Sequence, residues 1–307
     1  MKNNNSMLKF VIKSFLIVFI SMALLSCSSD NDERATGKAN ISLTDAPIDD
    51  ANIKSVFISV LSVEANGPDG WETVESFEEP VKIDILSYQD GNSYFLTEGS
   101  LTAGAYSEIR LILDIVERAN GNQSNVGSYI EYLDGSTQPL FVPSGAQSGY
   151  KAKGEFTIPE GGVVSLTLDL DLRKALVRAG NSGKYLLKPV VRLIANEDAA
   201  LISGSLTAEA TELGKVLVFA YNDGEFTESE TDEPGNEEVR FPNAVTSADL
   251  DEDGSFTLAF MESGTYDLYF AQVDEEGEFI SLLGSYQDVA LEGGTNLTIE
   301  ITLIELE

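Results

Sequence analysis

Few residue types in this sequence could run chemistry, and the gaps inform as much as the candidates. Histidine is absent and cysteine occurs once, at Cys27. That excludes Ser-His-Asp and Cys-His catalysis, His-based zinc or haem sites, and any disulfide within the chain. Carboxylate, lysine and hydroxyl chemistry remain. Asp249-Leu250-Asp251-Glu252-Asp253-Gly254 has the D-x-D-x-D-G spacing of the first half of a calcium loop. That spacing sets Asp249, Asp251 and Asp253 on one side of a tight turn, with a glycine at the bend. The twelfth position is Phe260, so the bidentate glutamate is missing. Any Ca2+ site there would be weak, roughly 10⁻⁴–10⁻³ M, and a plain acidic hairpin turn explains the same residues. Asp169 and Asp171 share one strand face, as a pair of glycosidase carboxylates could. Two solvated acids on the wet side of a strand fit that pattern better. Ser148 and Lys151 have S-x-x-K spacing, but in a loop or strand residues i and i+3 point apart, which disfavours a nucleophile pair. Trp71, the single tryptophan, is either a sugar-stacking platform or a half-buried strand residue. No residue is assigned a catalytic role, and there is no Gly-rich phosphate loop or basic stripe.

The elements that must position these residues read as strands. Val164, Leu166, Leu168, Leu170 and Leu172 alternate with polar residues, a period of two that predicts one buried and one wet face. Ile109, Leu111, Leu113 and Ile115 repeat it, as do Leu297, Ile299, Ile301 and Leu303. Ile53–Val63 is apolar on both faces, as a central strand would be. Tyr185–Ile194 reads as one closing strand. Turn signals punctuate the runs at 66–70, 90–92, 120–122, 134–135, 161–162 and 293–294. Helix signals are confined to Leu172–Val177. The expected class is all-β: two consecutive antiparallel β-sandwich-like domains, 37–196 and 197–307, behind an N-terminal address.

That address occupies the first 26 residues. Lys2, Lys9 and Lys13 form a basic start, and Phe15–Leu25 is apolar except for Ser21. The stretch suits a signal peptide and is too short for a comfortable membrane span. It ends in Leu24-Leu25-Ser26-Cys27, which resembles the bacterial lipobox. The resemblance implies cleavage before Cys27 and acylation of that residue with diacylglycerol and often a further chain such as palmitate. Two or three acyl chains give stable anchoring. Residues 27–36 then read as an acidic tether, similar to runs that route lipoproteins to the outer surface of the outer membrane.

Charge constrains partners. There are 51 acidic and 19 basic residues, a net charge of -32. Lys215 and Arg240 are the only basic residues from position 200 onward. Such a polyanion repels nucleic acid, so no nucleic-acid partner is expected. The expected partners are the membrane, through the lipid, and an envelope or extracellular polymer or protein.

Two resemblances cover the body. Leu43-Thr44-Asp45-Ala46-Pro47, Leu101–Tyr106 with Ile109–Asp114, Val142–Gly149, Asp169–Lys174 and Tyr185–Leu193 together resemble the family of domain of unknown function 4382 over about 37–196. The resemblance implies a β-rich surface or periplasmic module and carries no catalytic residues. Asp251–Leu258 followed by Ser263–Leu268 looks like a transthyretin-like or carboxypeptidase-regulatory β-sandwich, with Glu225–Glu238 as a long acidic departure from it. The expectation is a lipid-anchored, non-enzymatic binding, adhesion or structural module of the cell envelope. The alternatives are an accessory lipoprotein for capturing a ligand or polysaccharide and, least favoured, a carboxylate-based glycoside hydrolase.

Overall fold

The computed structural model describes residues 34–302, apart from 48–49, 116–126, 143–147, 180–183, 207–213 and 236–238. Cys27, the signal segment and the tether through residue 33 lie outside the described residues, as do Leu303 and the turn at 120–122. The described chain is nearly all β. No helix among the described residues is long and apolar enough to cross a membrane. From Ala35 onward the residues cluster as one compact unit.

Twelve strands build the first sheet: β1 (Thr36–Asp45), β2 (Ile53–Gly67), β3 (Gly70–Asp84), β4 (Tyr94–Thr102), β5 (Gly104–Leu113), β6 (Tyr129–Tyr132), β7 (Thr137–Phe141), β8 (Tyr150–Ile158), β9 (Val163–Leu170), β10 (Leu176–Ala179), β11 (Lys184–Leu187) and β12 (Val191–Ala195). Their order is β10-β11-β7-β6-β2-β5-β8-β12-β9-β1-β4, with β3 on the free side of β2. The long β2 lies among β3, β5 and β6, which is why its sequence is apolar on both faces. Ile109, Leu111 and Leu113 of β5, with Tyr106 beyond a register shift, reach the same core as Ile41 and Leu43 of β1 and Val60 and Val63 of β2. The sheet curls until β3 lies against β4. There Glu72 Oε2 accepts from the Thr102 N–H at 3.1 Å and its hydroxyl at 2.9 Å. Gly99 makes this approach possible, because a Cβ there would sit 2.3 Å from the Val74 carbonyl oxygen.

Most pairings in this sheet are antiparallel, but β1–β9, β8–β12 and β7–β11 run parallel. Strand alternation encodes faces rather than direction, so sequence periodicity cannot supply this. The expected single strand over 185–194 is two. Pro189 has no N–H to donate, and the chain breaks at Lys188–Val190, sending β11 to β7 and β12 between β8 and β9. The expected helical turn is α1 (Leu172–Ala175), and β10 follows it directly.

After residue 195, β13 (Ala200–Leu206), β14 (Val216–Asn222), β15 (Thr246–Asp249), β16 (Ser255–Met261), β17 (Gly264–Val273), β18 (Phe279–Leu291) and β19 (Asn296–Ile301) form two sheets, β16-β13-β19 and β15-β14-β17-β18. Ile202, Phe256, Leu258 and Ile301 of the first share a core with Val218, Ala220, Leu268 and Phe270 of the second. The opposite face of β14 and β17, with Leu217, Phe219, Tyr221 and Tyr269, makes a further core. The segment between β14 and β15 covers it. Phe226 stacks on Tyr269 with centroids 3.9 Å apart, and Phe241 lies 4.3 Å from Phe219. Burying such rings is worth roughly 1.5–3 kcal/mol each, enough to hold an acidic segment down that would otherwise prefer water.

Candidate functional site

Segments far apart in the sequence meet where β1 and β9 end and α1 begins. β1 and β9 run parallel, so Thr44 sits opposite Asp169 and Asp45 opposite Leu170. β12 flanks β9 on its other side and sets Arg192 opposite Asp169. Arg192 Nε and Nη2 both donate to Asp169 Oδ2, the former at 3.0 Å. Asp171 caps α1: its Oδ1 accepts from the Lys174 N–H at 3.1 Å, and its Oδ2 lies 3.1 Å from Lys174 Nζ. An Asp cap of this kind is worth about 1 kcal/mol. Asp45 Oδ1 accepts from the Leu172 N–H at 3.0 Å, while Oδ2 has no hydrogen-bond partner. The Tyr150 hydroxyl closes the cluster by donating to the Lys188 carbonyl at 2.8 Å.

Asp169 and Asp171 are therefore not the solvated acids that the alternation predicts. They are 4% and 5% exposed, and Thr167 and Arg173 on the same face are buried too. The face is covered because β12 brings Arg192 across Asp169, and because the segment before β15 sits on Arg173 and Lys174. Arg173 Nη1 donates to the Arg240 carbonyl at 2.6 Å and Nη2 to the Phe241 carbonyl at 3.1 Å. Lys174 Nζ donates to the Ala244 carbonyl. The Arg173 guanidinium also lies 5.2 Å from the Phe219 ring centroid. Phe241 is held with φ +55, unusual for a bulky residue, and its carbonyl and ring are both fixed by these contacts.

The electrostatics follow burial. Removal from water pushes the Asp45 carboxyl well above the ordinary carboxylate range; the Leu172 N–H opposes this and the charges of Asp169 and Asp171 add to it. Burial pulls the Lys174 ammonium down, against the pull of Asp171. Taken as chemistry, the cluster holds backbone rather than substrate. One carboxylate is bound by an arginine, one caps a helix, and two cations grip carbonyls of a later segment. Its parts lie in stretches such as Leu43–Pro47, Asp169–Lys174 and Tyr185–Leu193. The legible signal for the cluster was the density of charge inside apolar strand sequence.

The other candidates fall elsewhere. Asp249, Asp251 and Asp253 do not bring three carboxylate oxygens together. Asp249 Oδ1 lies 3.7 Å from Lys215 Nζ, and burial raises its pKa. Asp251 and Asp253 accept from the Ser255 hydroxyl, and Asp253 also from the Ser255 N–H, which holds its carboxyl below the usual range. Gly254, with φ +80, completes this turn between β15 and β16. Among the described residues, the carboxylates that do converge are Asp223, Asp267 and Asp288, with oxygens within 4.8 Å of one another. Both oxygens of the buried Asp267 already accept backbone N–H groups, from Gly224 at 2.9 Å and Asp288 at 3.1 Å. Trp71 is the second residue of β3, and the Arg110 guanidinium lies over its ring, 4.0 Å from the centroid, with Lys151 Nζ at 5.2 Å. Arg110 is itself paired with Glu64 at 2.5 Å. Ser148 lies before β8 while Lys151 lies within it, so the two do not share an element.

No curated protein matches the sequence. Among solved structures, shaft pilin spaA from Lactobacillus rhamnosus GG aligns at 11% identity, covering 88% of this chain and 99% of that one, with a TM-score of 0.24. A streptococcal ancillary pilin aligns at 12% identity over 87% and 68%, with a TM-score of 0.23. The Bacillus anthracis TIE protein aligns at 12% identity over 87% of this chain, with a TM-score of 0.20. This chain spans 34% of the TIE protein and 26% of a leucine-rich repeat protein from Bacteroides thetaiotaomicron. Overlaps this loose leave the architecture to be defined by its own sheets. The family comparison is specific: residues 36–189, which hold the cluster's Asp45, Tyr150, Asp169, Asp171, Arg173 and Lys174 but not Arg192, match the domain of unknown function 4382, and the chain belongs to that family.

Proposed function

We propose that this protein is a lipid-anchored module of the cell envelope, held to the outer membrane through acylated Cys27, whose β body serves in binding, adhesion or structural display rather than catalysis. The observation that carries the non-enzymatic part is the state of the Asp169 and Asp171 carboxylates. A hydrolase pair needs two acids facing a substrate cleft with room for sugar and water. Here both are about as buried as core residues, and their oxygens are engaged by Arg192 and by Lys174. The lipid anchor is supported by the sequence Leu24-Leu25-Ser26-Cys27 after a short apolar stretch.

Protease treatment of intact cells carrying the full-length protein, beside lysed cells and a Cys27→Ser variant, tests this proposal. The expected result is a wild-type body that fractionates with the outer membrane and is cut on intact cells. The Cys27→Ser protein should be lost from the membrane fraction. Equal membrane retention of both proteins would overturn the anchor. Cleavage only after lysis would overturn surface display and place the body in the periplasm.

A further inference from the structure

A cleft of about 410 Å³ opens between the β10 edge of the first sheet and the outer face of the β14–β17 sheet. Its floor is apolar and buried: Leu217, Phe219, Phe241 and Val273. Phe279 forms a wall, edge-on to Phe241 at 5.5 Å. Two arginines line the same cleft, Arg240 beside Phe279 and Arg178 at the exposed rim.

Their partners are aromatic rings and, for Arg240, a backbone carbonyl. The Arg240 guanidinium lies 4.9 Å from the Phe279 ring centroid and donates to the Thr231 carbonyl. Arg178 lies 5.6 Å from the Tyr185 ring centroid. Among the described residues neither forms an ion pair with a carboxylate, whereas Lys38, Lys54, Arg110, Lys151, Lys174, Arg192 and Lys215 all do. Aromatic faces hold a guanidinium in place without neutralising it. The cleft thus joins an apolar floor to two cations that no carboxylate pairs with directly, at a volume suited to a small ligand.

We propose that this cleft is a binding site for a small amphipathic monoanion: an apolar ring or short acyl body on the phenylalanine floor, with one carboxylate or sulfonate towards Arg240 and Arg178. The rim carboxylates Asp50, Glu276 and Glu278 restrict the net charge of the ligand. Glu276 and Glu278 are exposed and Asp50 is half-buried, so water screens them in part, and their charge opposes a second anionic group beside the arginines. The site is independent of the lipid anchor, and its failure would leave the anchoring proposal untouched.

The test is a fluorescence titration of the full chain with two probes that share an aromatic body: the anionic 8-anilinonaphthalene-1-sulfonate and the uncharged N-phenyl-1-naphthylamine. The expected result is one saturable site that prefers the anion. Arg178→Gln should weaken the anionic probe about fivefold, the scale of a solvent-screened charge contact, and leave the neutral probe unchanged. Phe279→Ala should weaken both. Arg178 is exposed, so its variant should melt with wild type, and Arg178→Lys should restore part of the preference. No saturable binding, equal affinity for the two probes, or binding that neither Arg178→Gln nor Phe279→Ala alters would each overturn the proposal.

Discussion

Asp45 is a carboxyl kept from water among two other carboxylates, with the Leu172 N–H and, more weakly, the Gln89 side chain to answer it. An acid whose pKa is higher in the folded chain than in the unfolded one binds more protons when folded. Its contribution to stability is complete below the ordinary carboxylate range and fades as pH rises through the folded value. The protein should therefore lose stability as pH climbs from about 4 upward through the raised pKa. Asp45→Asn, which can still accept from Leu172 but never ionises, should flatten that part of the profile and melt above wild type at neutral pH. Melting temperatures across pH for both proteins check this; parallel profiles would show that Asp45 stays charged or is solvated. Burial of the neighbouring Asp169 and Asp171 was not legible in the sequence. Alternation of Leu with Asp states that two faces differ, and it cannot state that a later strand brings an arginine to cover the polar one. The apolar members of the same run were legible, because Leu166, Leu168 and Leu170 need no partner beyond the core itself.

At the scale of elements, the contact of β3 with β4 depends on the absence of a side chain. Gly99→Ala would place a methyl group 2.3 Å from the Val74 carbonyl oxygen, and backbone on both sides limits relaxation. The expected cost is about 2–3 kcal/mol, at the upper end for overpacking, read as a lowered urea midpoint with an unchanged slope. A midpoint within error of wild type would mean that the two strands part freely. The strands themselves were largely readable: β5 and β9 follow from apolar alternation, β2 from a run apolar on both faces, and α1 from the helix signal at Leu172–Val177. What escaped was chiefly pairing. The run from Tyr185 to Ile194 gives no hint that its halves join different neighbours, beyond the proline that separates them. The turn at Asp251–Gly254 was legible as a turn, and its metal-like spacing is met by the serine that follows it.

For the whole molecule, Arg173 and Lys174 tie the family domain to what comes after it, through carbonyls at 240, 241 and 244. Arg173→Ala removes two charge-assisted hydrogen bonds and leaves two carbonyls beneath buried phenylalanines, a loss of about 2–3 kcal/mol. Wild type should melt in one calorimetric transition and the variant in two, because coupling between the cores then falls below what cooperative unfolding needs. A single transition at the wild-type temperature would show that the apolar contacts suffice. The position of β1 carries a mechanical consequence. It is the first described strand, following the segment for which we propose a lipid anchor, and it lies between β4 on one side and β9 on the other. A pull transmitted along β1 from Thr36 would load both ladders lengthwise, straining many hydrogen bonds at once instead of peeling them one by one. A body tethered at that end would resist flow and tugging by shear.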